Sequence, residues 1–113
     1  MTEGVAARAD HSRFVQRIRR RYGEERSWLA AGVPGFDSIT ALVQALQQAG
    51  RPLPAALRVA RQLVLERLAE LDVEQGVDQA VITGAMTHLA EATMELALAQ
   101  ALADAAARHG VPR

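Results

Sequence analysis

Residues 78–108 read DQAVITGAMTHLAEATMELALAQALADAAAR, a run without proline. Ile82, Ala85, Leu89, Ala92, Leu96, Ala99, Ala103 and Ala106 alternate steps of three and four, which puts them all on one face of a single long helix. A second apolar series, Met94, Leu98 and Leu102, appears only in the C-terminal half of the run. A helix of roughly 40 Å, at about 1.5 Å per residue, that is apolar on two sides near its end needs something to cover both. That surplus predicts a contact with another domain or another chain, centred on Met94, Leu98 and Leu102.

Upstream, the pattern stays helical. Asp10 or Ser12 can cap a first helix whose apolar positions Phe14, Ile18 and Tyr22 recur every four residues, with Val15 beside them. Gly23 interrupts it, Glu24 and Glu25 start a further turn or two anchored by Trp28 and Leu29, and Gly32-Val33-Pro34-Gly35 is a strong stop. In the second helix Phe36 and a capping Asp37 set the entry, and Ile39, Leu42, Val43 and Leu46 form the buried stripe before Gly50. Pro54 suits the first turn of a third helix, in which Leu57, Ala60, Val64, Leu68 and Leu71 face inward. Arg58, Arg61, Glu66 and Glu70 are read there as solvent contacts. Residues 72–76 form the turn into the last helix, which then packs antiparallel to the third. No alternating pattern long enough for a strand occurs. The expected fold is all-α, a four- to five-helix bundle with a long C-terminal helix. Residues 1–11 are read as a loose tail, 12–110 as one helical domain, and 111–113 as the start of a connection onward.

Composition excludes several chemistries. The chain has no cysteine, so disulfides, thiolate metal sites and thiol catalysis are out, and a cytoplasmic setting is expected. Thirteen basic and thirteen acidic residues give a net charge of zero, which offers no reason to expect nucleic acid or an anionic membrane as partner. Residues 1–10 are small and polar, without a signal-peptide core, and Glu91, Glu95 and Asp104 make membrane insertion of the long helix expensive. The basic run Arg17–Arg21 can bind phosphates, but Ile18 points inward within it and Glu24 and Glu25 follow, so a solvated or interdomain face is the simpler reading. His11, His88 and His109 lack the spacing and carboxylate company of a zinc site. Glu91 and Glu95 share a face one turn apart but have no Glu-x-x-His partner. Met86 and Met94 read as core filler. No glycine loop for phosphate and no Ser/His/Asp set with supporting context is present. No catalytic, cofactor-binding or metal-binding residue is predicted.

Residues 57–68 (LRVARQLVLERL), then Val81-Ile82-Thr83-Gly84-Ala85-Met86-Thr87-His88-Leu89-Ala90-Glu91-Ala92-Thr93, then the Ala-rich helix closing on Ala107-Arg108-His109-Gly110-Val111-Pro112, carry a resemblance. They resemble the helical segment that precedes a nucleotidyltransferase domain in bifunctional glutamine synthetase adenylyltransferase/adenylyl-removing enzymes. Ser12-Arg13-Phe14-Val15 also resembles the extreme N-terminus of those enzymes, which favours their N-terminal, adenylyl-removing half. In that family the Gly-Ser-Asp-x-Asp type motif, whose aspartates hold Mg²⁺, follows the Gly-x-Pro turn. The resemblance therefore implies a non-catalytic scaffold segment, with Mg²⁺ and ATP or ADP used elsewhere in the parent enzyme, and with the remainder of that enzyme as partner. The alternative is a free-standing helical module that binds a protein partner or pairs with itself through its last helix.

Overall fold

The computed structural model describes residues 13–109; the expected tail over 1–11, the cap at Asp10 or Ser12 and the closing residues 110–113 lie outside them. Among the described residues every regular element is helical. Helix α1 occupies residues 13–21, one 3₁₀ turn follows at Glu25–Trp28, and then come α2 (Phe36–Gln48), α3 (Leu53–Val73) and α4 (Gln79–His109). α2 lies against both α3 and α4, and α3 lies against α4.

Local chemistry sets the element ends, with one change from expectation at the start of α2. Gly35, not Asp37, is the cap residue, in extended backbone. Its N–H donates to Ser38 Oγ at 2.9 Å and its carbonyl accepts the Ile39 N–H at 2.9 Å. Phe36 is consequently the first helical residue and does not precede the cap. At the far end Gly50 takes φ +107°, so that its N–H reaches the Gln47 carbonyl (3.0 Å) and the Arg51 N–H reaches that of Leu46 (3.1 Å). This paired closure needs the left-handed backbone that glycine supplies cheaply. α3 continues two residues past Leu71. Gly76 (φ +62°) then turns the chain, and Asp78 caps α4 by accepting the Ala80 N–H on Oδ1 at 3.0 Å.

The core is aliphatic and continuous. Ile39, Leu42, Val43 and Leu46 of α2 are all buried, as their spacing predicts. They meet Leu53, Ala56, Val59, Ala60, Leu63, Val64, Leu68 and Leu71 of α3, and Ile18, Tyr22 and Leu29 close one side. Leu57 is only half-buried, because it stands at the edge between α3 and α4.

α4 departs most from its pattern. Ala85, Leu89 and Ala92 are buried and Ile82 and Leu96 half-buried, but Ala99 and Ala103 on the same face are exposed. Every residue from 97 to 104 is exposed, so the second half of α4 runs out past the bundle. The molecule is accordingly long, 62 × 28 × 23 Å. Periodicity set the phase of this stripe correctly, but the inner stripe holds the bundle only as far as Leu96, where α2 and α3 no longer reach. Among the described residues no helix is long and apolar enough to cross a membrane.

Candidate contact surface

The residues singled out on α4 stand in the open. Met94, Leu98 and Leu102 are 72%, 60% and 63% exposed. At 3.6 residues per turn they point away from the side that carries Ala85, Leu89 and Ala92. Large apolar side chains exposed in a row mark a contact surface more often than chance. Met94 is thus not core filler. Met86 is half-buried and packs against the core.

Beside this stripe a groove of about 490 Å³ runs between α3 and α4. Leu57, Met86, Leu89 and Met94 supply its apolar walls, and Arg58 and Arg61 stand on its α3 side. Both arginines are exposed, and neither has a hydrogen-bond or ion-pair partner among the described residues. Spacing alone gave these two arginines no role beyond solvent contact. The signal that could have marked them is the want of any acid one turn away on α3.

The carboxylates of α3 lie elsewhere, and Glu66 overturns its reading as a solvated residue. It is the buried charged residue of the described core, 2% exposed. Arg26 Nε donates to its Oε1 at 2.8 Å and Arg19 donates to its Oε2 at 3.4 Å. Arg19 also lies 3.8 Å from both Glu70 and Glu74. One member of the 17–21 arginine run is therefore an internal fastener, while Arg17 and Arg20 face solvent and Arg21 lies over the Tyr22 ring. A buried carboxylate survives in a core only with such partners, since an unpaired one would cost several kcal/mol, on the order given for buried charges. Nearby, Arg67 donates to the carbonyls of Ala30 (2.7 Å), Gly32 (2.9 Å) and Leu29 (3.4 Å), tying the loop before α2 onto α3. Arg51 holds Glu25 at 2.8 Å on the opposite flank.

The remaining polar residues stay scattered. His88 does have a carboxylate neighbour, Glu91 at 3.4 Å, but both are about half-exposed and no third ligand joins them. Among the described residues no three His, Asp or Glu side chains converge as a metal site. What the molecule presents is an apolar helix face and an apolar groove with a basic edge.

The fold and this surface define an all-α helical segment that, among the described residues, carries an exposed apolar helix face. Over 92 residues, 77% of this chain, it is 38% identical to the bifunctional glutamine synthetase adenylyltransferase/adenylyl-removing enzymes of Burkholderia mallei (strain ATCC 23344) and Burkholderia pseudomallei (strain K96243). The chain spans about a tenth of the length of these curated relatives, since the match covers 10% of each. The resemblance read from its residues thus holds as a similarity to one helical segment of a much larger enzyme. No family model and no solved structure matches the chain.

Proposed function

We propose that this chain is a helical scaffold segment of an enzyme related to glutamine synthetase adenylyltransferase/adenylyl-removing enzymes. It is not catalytic by itself. The observation that carries this is the combination of 38% identity to a tenth of those enzymes with an α4 whose outer half is uncovered. A bundle that leaves Met94, Leu98 and Leu102 in the open is the shape expected of a part seated against the remainder of a larger protein. In this reading α1–α3 hold the first half of α4, and its second half lies against the catalytic part. The AMP chemistry on glutamine synthetase, addition and phosphorolytic removal, belongs to that catalytic part. So do Mg²⁺ and the adenine nucleotide. The setting is the cytoplasm, and neither nucleic acid nor membrane has a part in it.

Grafting tests the assignment. Replacing the matched segment of the Burkholderia pseudomallei relative with this chain is expected to leave both activities on glutamine synthetase within about tenfold of the parent, roughly 1.4 kcal/mol. The isolated chain is expected to show neither. Leu98→Glu with Leu102→Glu in the chimera should reduce both together while the chain itself stays folded. A well-folded chimera lacking both activities would end the assignment, as would adenylyl transfer by the isolated chain.

A further inference from the structure

The groove between α3 and α4 has a period of its own. From Met86 to Met94 its α4 wall runs eight residue steps, about 12 Å at 1.5 Å per residue, or roughly two helical turns. That is the span of three anchors at i, i+4 and i+7 on a docked helix. Arg58 and Arg61 on the other wall are one turn apart, the separation of two acidic residues along one edge of such a helix. The apolar and charged features of the groove therefore share one repeat, and it is helical.

Charge decides the chemistry of the occupant. α3 sends Glu66 and Glu70 to the side of Arg19 and leaves Arg58 and Arg61 with no acid among the described residues. Two guanidinium groups beside an apolar trough favour carboxylates and oppose lysine or arginine at the same positions. The trough is open along its outer side, so it cannot enclose most of a small ligand's surface, as a small-molecule site would. A helix laid along it needs only one covered face. Met86 and Met94 add walls that adjust to the side chains they meet.

We infer that the α3/α4 groove is the seat of an acidic amphipathic helix from the polypeptide that covers α4, its apolar anchors on Leu57, Met86, Leu89 and Met94 and its carboxylates on Arg58 and Arg61. This rests on the scaffold reading for the source of the helix, and adds a second, chemically selective surface to the Leu98/Leu102 face.

The probe is a pair of synthetic helical peptides of about 16 residues, with Leu at i, i+4, i+7 and i+11. One carries Glu and its twin Lys at i+3, i+6 and i+10. Binding is followed by the methyl resonances of Met86 and Met94 and by fluorescence anisotropy. The Glu peptide is expected to bind about tenfold or more tightly than the Lys twin and to shift both methyls. Arg58→Glu with Arg61→Glu, at two exposed positions that leave the core intact, should invert the preference. Equal affinity for the twins, no binding of either at millimolar concentration, or shifts that leave Met86 unmoved would each overturn the inference. Leu98→Glu with Leu102→Glu should leave peptide selectivity unchanged while disabling the grafted enzyme, so the groove and the scaffold reading fail separately.

Discussion

At the scale of single residues, charge burial is where the sequence misleads most. Glu66 sits on α3 between Leu65 and Arg67, in a stretch that alternates charge and hydrocarbon as a solvent-facing edge would. Nothing local tells it apart from Glu70. The difference is tertiary: α1 and the 3₁₀ turn bring Arg19 and Arg26 onto that one position from 47 and 40 residues away, and it closes over. Glu66→Gln keeps the shape and removes the charge, leaving two guanidinium groups that are 27% and 35% exposed and can turn back to water. The expected loss is therefore about 1–2 kcal/mol, well short of the cost of stranding a fully buried ion. It should appear as a lower urea midpoint with an unchanged slope. A variant as stable as the parent would show that the cluster is only accommodated, not stabilising.

At the scale of elements, the stripes that periodicity could read are those with a neighbour along their whole length. Ile39, Leu42, Val43 and Leu46 all came out buried because α2 packs against both α3 and α4. On α4 the same arithmetic fails after Leu96. The phase of Ala99 and Ala103 is right, but phase says which way a residue points and not whether anything stands there. The caps show a related limit: the cap is Gly35 and not Asp37, and its extended backbone N–H donates to the Ser38 hydroxyl three residues on, so the entry is closed from inside the helix and not by a cap side chain. The unequal cover along α4 has a dynamic consequence. Amide hydrogens over 82–96 should exchange near the global unfolding rate, and those over 99–107 orders of magnitude faster, because that half opens without breaking the core. Hydrogen-exchange mass spectrometry on the isolated chain measures this directly. Uniform protection along the helix would mean that the outer half is covered after all.

For the whole molecule the question is what becomes of an uncovered apolar face in water. The isolated chain should self-associate at high concentration through Met94, Leu98 and Leu102, which are the large hydrophobic side chains most exposed among the described residues. Sedimentation velocity should show dimers or larger species that Leu98→Glu with Leu102→Glu removes, with circular dichroism unchanged. A strictly monomeric parent would mean that the stripe is too thin to hold two copies together, and would leave a larger partner surface as the remaining cover. The class of the fold, the order of its helices and the location of this face could all be read from residue spacing. The groove could not, because Leu57 and Met94 are 37 positions apart in sequence and come together only when α3 and α4 are laid side by side.

α4 also has a mechanical side. Its fully buried positions are Ala85, Leu89 and Ala92, two of them carrying only a methyl group, with Ile82, Met86 and Leu96 packed half-buried beside them, so the first half of the helix rests close to its neighbours. Beyond that stretch the same helix continues unsupported through Ala103. A rod clamped over its first half and free over its second is a cantilever. A sideways load on the free end passes along the helix to the seated turns, where Ile82, Met86, Leu89 and Leu96 resist it. The bare outer half is therefore stiff along its axis and unbraced from the side.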